Sequence, residues 1–241
     1  MNTGPKRAMV MAAGLGTRMR PLTNSTPKPL VKVAGKALID YVLDRLVAAG
    51  VEMAVVNVHY LADQIEAHLA NRRDLEIRIS DERSELLDSG GGMFKALSHF
   101  EGEPFFHVNA DTVWIEGTSH ALERLKQQWD PSVMDALMLL AATVNSVCYE
   151  GKGDFVMDAQ GHLARVPEHH VGPFVWTSVE IVHPRLFESA PGGRFSINPL
   201  WDRAIARERL FGLRLDGIWM HIDRPEAIAP AEACLADLAP V

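Results

Sequence analysis

Cysteine is scarce in this chain of 241 residues, which contains only Cys148 and Cys234. Two thiols cannot build a disulfide framework, and neither stands in a Cys-x-x-Cys or Cys/His pattern suited to zinc. We therefore expect a protein of the reducing cytoplasm, whose fold depends on packing rather than on cross-links or structural zinc.

Long apolar runs are also absent. No segment approaches the roughly 20 apolar residues that cross a bilayer, and residues 1–7 are too short and polar for the apolar part of a signal peptide. Hydrophobic residues still make up 47% of the chain, which is ample for one large α/β domain. We expect a single domain over residues 1–241, as a monomer or small homo-oligomer.

An excess of positive charge is the third feature that is missing. The chain has 24 Lys and Arg against 31 Asp and Glu, a net charge of −7. This balance excludes nucleic acid and anionic membranes as partners. Arg18, Arg20 and Lys28 nevertheless form one basic cluster, which predicts that the ligand is a small anion.

The basic cluster follows a glycine-rich loop. Gly14 and Gly16 come directly after the apolar run Ala8–Ala13, so they stand where a buried strand would end. Because glycine lacks a Cβ atom, backbone N–H groups can approach a ligand closely there. The segment predicts a polyphosphate site, in which the loop N–H groups and the nearby cations meet the phosphate charges.

Two common glycine motifs do not fit this loop. A dinucleotide fingerprint needs a third glycine three residues after Gly16, where this chain has Met19. A P-loop needs Gly-Lys-Ser/Thr, but Lys28 stands twelve residues after Gly16, between two prolines. Hydride transfer and kinase-type NTP hydrolysis are therefore both disfavoured.

Hydrophobic spacing predicts alternating strands and helices. Strands are predicted at 8–13, 53–58, 75–79, 104–108, 136–142, 175–182, 210–215 and 218–222, and helices at 38–47, 61–70, from 90, from about 117, 198–207 and 225–238. This order indicates an α/β fold, a Rossmann-like mostly parallel sheet with helices on both faces. Ligands gather at the carboxyl ends of such strands, where Gly14 and Asp111 both fall. The glycine-containing stretch after residue 142 predicts hairpins or a substrate lid.

The segment from Gly14 to Leu30 resembles the opening signature of the sugar-phosphate nucleotidyltransferases. That signature is Gly-x-Gly-Thr-Arg-(Leu/Met)-x-Pro-Leu-Thr with a downstream Pro-Lys-Pro, and all of its positions are matched. The resemblance implies a nucleotide-diphospho-sugar transferase fold, with a nucleotide-binding half at about 1–115 and a sugar-binding half at about 116–241. Larger relatives add a left-handed β-helix, and no hexapeptide repeat is present, so we expect a catalytic domain by itself.

The resemblance also implies roles for single residues. Arg18 would hold the β- and γ-phosphates, Lys28 would contact the α-phosphate and the incoming phosphate, and Asp111 would bind Mg²⁺. A hard carboxylate suits an octahedral ion that bridges phosphates. No general base is required, because phosphate oxygens are already ionised at neutral pH. The nucleotide-binding set that the resemblance implies is Ala13, Gly14, Gly16, Thr17, Arg18, Asp88, Ser89, Gly90 and Asn109.

The second metal ligand is where the chain departs from the family. Relatives carry Gly-x-Trp-x-Asp-x-Gly-Thr, whereas this chain reads Gly217-Ile218-Trp219-Met220-His221-Ile222-Asp223. His221 stands at the aspartate position, and Asp223 would face the same side if the segment were a strand. Three alternatives remain open: Asp223 binds Mg²⁺, His221 binds a transition metal such as Mn²⁺, or one metal ligand suffices.

A second glycine-rich turn, Asp88-Ser89-Gly90-Gly91-Gly92, opens a predicted helix. Its backbone groups could contact a base edge or an anion, and a capping turn without a ligand is the alternative. The turn resembles the Glu-Thr-Gly-Gly-Gly turn of the N-acetylmuramate-1-phosphate uridylyltransferases. That resemblance implies UTP and N-acetylmuramate-1-phosphate as substrates, in peptidoglycan recycling.

The sugar side is less clearly marked. The stretch from Gly151 to Phe155 resembles the same uridylyltransferases and implies an anion contact from Lys152. The Glu-Lys-Pro segment of many glucose-1-phosphate relatives is missing, and Lys152 or Arg165 could replace its lysine. The sugar-binding set that the resemblance implies is Asn109, Gly153, Asp154 and Thr177.

Two other functions stay open. A guanylyltransferase for mannose- or heptose-1-phosphate would share the first motif. A catalytically inactive sensor of nucleotide sugars is permitted by the altered second metal motif. The presence of Arg18, Lys28 and Asp111 together argues against the sensor.

Overall fold

The computed structural model describes residues 4–237. The strands in this range are, in chain order, β1 (Arg7–Met11), β2 (Lys32–Val33), β3 (Lys36–Ala37), β4 (Met53–Val58), β5 (Glu76–Asp81), β6 (Phe105–Asn109), β7 (Val113–Glu116), β8 (Ala136–Ala142), β9 (Phe155–Met157), β10 (Leu163–Arg165), β11 (Phe174–Val182), β12 (Leu210–Arg214) and β13 (Gly217–Met220). The α-helices are α1 (Leu38–Ala48), α2 (Ala62–Leu69), α3 (Asp88–Ala96), α4 (Ala121–Gln128), α5 (Asn198–Ala206) and α6 (Ile228–Asp237).

A mixed sheet forms the centre of the molecule. Its strand order is β5-β4-β1-β6-β11-β8-β12, with the hairpin β9-β10 attached to the start of β11. Strands β5, β4, β1 and β6 are parallel, as are β8 and β12, whereas β11 runs antiparallel to both of its neighbours. The prediction of a mostly parallel sheet is therefore confirmed.

Helices cover both faces of this sheet, as predicted. One apolar cluster joins the sheet to α1, α2 and α4, and another joins it to α3 and α5. Because both faces are covered, the central strands are mostly apolar, and every residue of β4 is buried. No described helix is long and apolar enough to cross a membrane.

Helix α1 shows how the sequence pattern specifies a local structure. Its apolar residues recur at helical spacing and are buried. It ends at a Schellman motif, in which the N–H of Gly50 donates to Val47 and the N–H of Val51 donates to Leu46. Gly50 has φ +75°, a conformation that glycine adopts without strain.

The prediction was wrong around β7 and β13. These strands form a separate antiparallel ribbon outside the main sheet. No strand was predicted at β7, and β13 ends at Met220 rather than at the predicted residue 222. The ribbon joins segments about 100 residues apart, a pairing that local spacing does not reveal. The last predicted helix begins later, at Ile228, and its predicted end at 238 lies outside the described residues.

A bulge interrupts the pairing of β11 with β8. Trp176 pairs with Leu140 and Glu180 pairs with Met138, so three residues of β11 lie opposite one residue of β8. Within the bulge Ser178 has φ +67°. Strand β11 pairs with β6 on one side of the bulge and with β9 on the other. The bulge lies beside the carboxyl end of β6, where Val179 pairs with Val108.

Candidate active site

The first feature of the site is an ion pair at the carboxyl end of β6. Lys28 Nζ donates to Asp111 Oδ2 at 2.5 Å. Asp111 comes two residues after β6, and Lys28 lies in a 3₁₀ turn of the loop that follows β1. Since β1 and β6 are adjacent parallel strands, their loops meet at one edge. The fold thus brings together two residues that the sequence analysis selected 83 positions apart.

A second ion pair joins Arg18 to Asp223, with 2.5 Å between Arg18 Nη1 and Asp223 Oδ2. The Arg18 side chain is 71% exposed and that of Asp223 only 6%. Burial raises the pKa of the Asp223 carboxyl, but the hydrogen bond from Arg224 and the charges of His221 and Arg18 outweigh it, so the pKa lies below its ordinary value. Asp223 is therefore an anion at neutral pH.

Both ion pairs line a cavity of about 360 Å³, which we call the first cavity. Gly14, Gly16 and Thr17 line it as well, so the predicted glycine loop forms its wall. Gly16 has φ +61°, and its carbonyl accepts from the hydroxyl of Thr23. Gly14 faces open space, because a Cβ atom there would have no neighbour within 4 Å. A ligand can thus approach the backbone at Gly14.

A second cavity of about 400 Å³ adjoins the first. The two cavities share Met11, Gly14 and Asp111. Four further residues of the predicted nucleotide-binding set line the second cavity: Ala13, Asp88, Ser89 and Asn109. The structure therefore brings both glycine-rich segments to one continuous cleft.

The prediction that the Gly90 N–H contacts a ligand was wrong. The N–H groups of Gly90 and Gly91 both donate to the carbonyl of Phe195, at 2.9 and 3.0 Å. A Cβ atom on Gly91 would overlap the carbonyl oxygen of Gly193. The glycines therefore let a distant segment cap helix α3, while Asp88 and Ser89 of the same turn line the second cavity.

His221 and Asp223 lie in a loop after β13 rather than in a strand. The ring of His221 stacks on Trp219 and meets the ring of Tyr149 edge-on, with centroids 5.3 and 5.7 Å apart. Its Nδ1 atom is buried without a hydrogen bond, 3.9 Å from Asp223 Oδ1. Burial lowers the pKa of His221, and this outweighs the opposing effect of Asp223.

A third, smaller cavity of about 130 Å³ is lined by all of the possible metal ligands. Asp111, His221 and Asp223 all line it, but of the last two only Asp223 also lines the first cavity. Within residues 4–237, no three His, Cys, Asp or Glu side chains come close enough together to hold a metal ion. Two carboxylates at one cleft still suit an oxygen-ligated divalent ion that takes its other ligands from phosphate.

The predicted sugar residues differ in their placement. Gly153 donates its N–H to the hydroxyl of Tyr149, the residue that contacts His221. Asp154 Oδ2 accepts the N–H of Trp176. Thr177 is fully buried and its hydroxyl donates to the carbonyl of Leu139. The prediction that the Thr177 side chain contacts sugar was therefore wrong, because it has no exposed surface.

Arg165 does not face the cleft as a replacement for the missing lysine. Its guanidinium donates to Asp202 and Asn198, both at 2.8 Å, and lies over the ring of Phe155. Lys152 is exposed in the loop before β9. Of the two cations considered, only Lys152 remains a candidate.

Several residues of the cleft were not predicted from the sequence. Asn57 and Glu82 line the second cavity although they are almost completely buried, and Arg194 lines it as an exposed cation. Asn57 is the one polar residue of the otherwise apolar strand β4, which is a signal that could have identified it. Arg194 lies in an irregular segment with no such signal.

A family model described as nucleotidyl transferase matches residues 7–142. The chain belongs to this family. It is 47% identical to N-acetylmuramate alpha-1-phosphate uridylyltransferase of Caulobacter vibrioides, over 98% of this chain and 100% of that protein. A protein of the same name from Neisseria meningitidis is 31% identical, over 94% of this chain and 97% of its own length.

The fold is similar to that of solved nucleotidyltransferases. The inositol-1-phosphate CTP transferase of T. maritima covers all of this chain with a TM-score of 0.77, although only 16% of residues are identical. The family predicted from Gly14–Leu30 is therefore confirmed, and so is the predicted fold. The two relatives named above are sugar-phosphate nucleotidyltransferases, and this chain is an enzyme of the same family.

Proposed function

We propose that this protein transfers a uridylyl group from UTP to N-acetylmuramate-1-phosphate, forming the UDP-sugar and pyrophosphate. The observation that carries the proposal is the pairing of Lys28 with Asp111 and of Arg18 with Asp223 across one glycine-lined cavity. The near full-length similarity to proteins of this name supports the choice of substrates. Both substrates are charged and do not cross membranes unaided, so we propose the cytoplasm as the compartment.

Ligand binding exchanges the partners of the two ion pairs. A triphosphate in the first cavity offers Arg18 and Lys28 more negative charge than one carboxylate does. When the cations turn to phosphate, Asp111 and Asp223 become available to a divalent cation. Arg18 is mostly exposed and reorients at little cost, whereas Lys28 is 13% exposed and stays close to its present position.

We propose Mg²⁺ as the ion and Asp111 and Asp223 as its protein ligands. When bound, it neutralises the triphosphate and the charge that grows on the leaving pyrophosphate. Asp223 is preferred to His221 because its carboxylate shares the first cavity with Asp111 and is ionised. His221, a softer ligand, is the proposed contact if Mn²⁺ replaces Mg²⁺.

The chemical step needs positioning and charge stabilisation rather than proton transfer. An oxygen of the sugar phosphate attacks the α-phosphorus in line, and the bond from that phosphorus to the bridging oxygen breaks, with the electron pair leaving on pyrophosphate. Lys28 draws the attacking and α-phosphates together against their repulsion. Arg18 stabilises the pyrophosphate as it leaves.

We assign the remaining predicted contacts from the cavity that each residue lines. Asp88, Ser89 and Ala13 line the second cavity, which we propose receives the nucleoside. Asn109 lines both the second and the third cavity, and we propose that it contacts the ribose and the sugar. We propose that Gly153 and Asp154 contact the sugar beyond Tyr149.

A substrate panel tests the proposal. Pyrophosphate release is measured with UTP, GTP, CTP, ATP and dTTP, each with N-acetylmuramate-1-phosphate, N-acetylglucosamine-1-phosphate, glucose-1-phosphate and mannose-1-phosphate. We expect the highest kcat/KM for UTP with N-acetylmuramate-1-phosphate. A preference for GTP with mannose-1-phosphate would reverse the substrate assignment, and nucleotide binding without turnover of any pair would favour an inactive sensor.

A further inference from the structure

We infer that Glu82 is a positioning residue. Through Asn57 it fixes the distance between the two walls of the second cavity, which are the first glycine loop and the second glycine turn. The inference rests on the proposed function only in assigning the nucleoside to that cavity. Asn57 is fully buried and Glu82 is 1% exposed. Neither belongs to the glycine motifs by which the family was identified.

A continuous chain of hydrogen bonds links the two walls. The N–H of Ala12, at the start of the first glycine loop, donates to Asn57 Oδ1 at 2.7 Å. Asn57 Nδ2 donates to Glu82 Oε1 at 2.8 Å. The N–H of Leu87, immediately before the second glycine turn, donates to Glu82 Oε2 at 3.0 Å.

The donors and acceptors along this series of hydrogen bonds allow only one arrangement. Both ends are backbone N–H groups, which can only donate, so the Asn57 oxygen must face Ala12 and its NH₂ group must face Glu82. Residue 82 must then accept at both of its oxygens, one from Asn57 and one from Leu87. A carboxylate meets this requirement and an amide does not.

The environment of the carboxylate makes a purely structural explanation incomplete. Among the described residues no Lys, Arg or His forms an ion pair with the Glu82 side chain, and burying an ionised group without a cation costs free energy. Its two partners connect the first glycine loop with the second glycine turn, and residues of both segments line the second cavity. We infer that fixing the width of this cavity offsets the cost.

Gly92 supplies an independent observation. A Cβ atom there would lie 2.9 Å from both Asn57 Nδ2 and Glu82 Oε1. The glycine therefore allows helix α3 to pack directly on the Asn57–Glu82 pair. This explains why the third of the three successive residues Gly90, Gly91 and Gly92 is also a glycine.

The test is a double-substitution cycle that reverses the polarity. In Glu82→Gln an amide NH₂ faces another donor, and in Asn57→Asp two carboxylates face each other. In the double variant the aspartate accepts from Ala12, the glutamine NH₂ donates to the aspartate, and the glutamine oxygen accepts from Leu87. Every hydrogen bond and the single negative charge are thereby restored.

We expect each single change to raise the Kd for UTP in the presence of Mg²⁺ about tenfold, the cost of one unsatisfied buried group, and the double change to stay within about threefold of the original protein. Calorimetry measures these affinities. The KM for the sugar phosphate should stay constant, because the network does not reach the sugar side. Glu85→Gln is the matched control, since it removes an exposed carboxylate from the same loop.

Two outcomes overturn the inference. One is a folded Glu82→Gln protein with unchanged UTP affinity. The other is a double variant no better than the worse single variant. If a single variant does not fold, recovery of folding and UTP binding in the double variant supports the network, and failure of both refutes it.

Amide exchange separates this inference from the proposed function. Hydrogen exchange at Ala12 and Leu87 is measured without any substrate, and we expect faster exchange at both in Glu82→Gln and restored protection in the double variant. Unchanged protection in Glu82→Gln would contradict the network even if the substrates are correct. Restored protection in a protein that rejects UTP would contradict the substrates alone.

Discussion

The two cavities of the cleft are built on opposite physical principles. In the first, charged side chains that line the cavity pair directly with one another, and Arg18 is 71% exposed. In the second, the polar groups of Asn57 and Glu82 are buried and bonded to the backbone. A mostly exposed partner such as Arg18 adds little to stability and is released easily, whereas buried polar groups are expensive to leave unpaired.

This difference gives the two cavities different tasks. The side chains of the first are suited to binding charge, and the hydrogen bonds behind the second fix its shape. The first cavity can exchange carboxylate partners for phosphate, because its contacts are side-chain contacts that a ligand can replace. The second differs, because the backbone N–H groups of Ala12 and Leu87 are already bonded to the buried side chains of Asn57 and Glu82. Substitutions in the first cavity should therefore change turnover with little effect on folding, and those behind the second should change folding or affinity.

The largest expected effect is that of Asp111→Asn in the first cavity. Loss of the carboxylate charge should lower kcat on the order of 10³-fold, comparable with removal of a main electrostatic stabiliser of a transition state. Steady-state pyrophosphate release measures the change, and circular dichroism should show an intact fold. Unchanged turnover at saturating Mg²⁺ would contradict the proposed metal role.

Arg18→Ala should lower kcat/KM by about 10²-fold, because the leaving pyrophosphate loses one cation. The melting temperature should hardly change, since the side chain is mostly exposed and Asp223 keeps its hydrogen bond to Arg224. Arg18→Lys is the control and should recover part of the activity. A destabilised protein with normal kcat/KM would show that the ion pair is structural.

The same substitution in the two regions sharpens the comparison further. Gly91→Ala should lower the free energy of unfolding by about 2 kcal/mol, because the new Cβ overlaps the backbone of Gly193 in a well-packed contact. Gly14→Ala, which faces open space, should leave stability within about 0.5 kcal/mol and should raise the KM for UTP instead. Urea unfolding and steady-state kinetics measure the two quantities. Equal stability losses at both positions would refute the distinction.

The smallest expected effect is that of Thr177→Val at the bulge of β11. Removing the buried hydroxyl leaves the carbonyl of Leu139 without this donor and should cost about 1 kcal/mol of unfolding free energy. The KM for the sugar phosphate should not change. A raised KM in a protein of unchanged stability would restore Thr177 as a sugar contact.

Local patterns were sufficient for most of the sheet and for one of the two cavities. The apolar run of β4 and the Schellman ending of α1 depend on neighbouring residues, so periodicity predicted both. Gly14, Arg18 and Lys28 lie in one short segment and Asp111 at a strand end, which is why the sequence placed them at a common edge. The structure brings these four residues to the first cavity.

Long-range packing accounts for what the sequence analysis missed. The ribbon of β7 and β13, the capping of α3 by Phe195 and the burial of Thr177 each depend on segments tens of residues away. The irregular stretch after β8 was predicted only as hairpins or a lid, and the structure shows the β9-β10 hairpin there. The same limit explains why Gly90 was assigned to the ligand when its N–H is bonded to protein.

The sequence alone determined the family, the mostly parallel sheet and the charged residues that we propose meet the phosphates, because these depend on residue types and spacings within short segments. Only the tertiary structure decided which polar groups remain free to bind. Whether an N–H, a hydroxyl or a carboxylate faces a cavity or a distant carbonyl depends on contacts between segments far apart in the chain. Asn57 and Glu82 acquired their role from the backbone groups that folding brought to them.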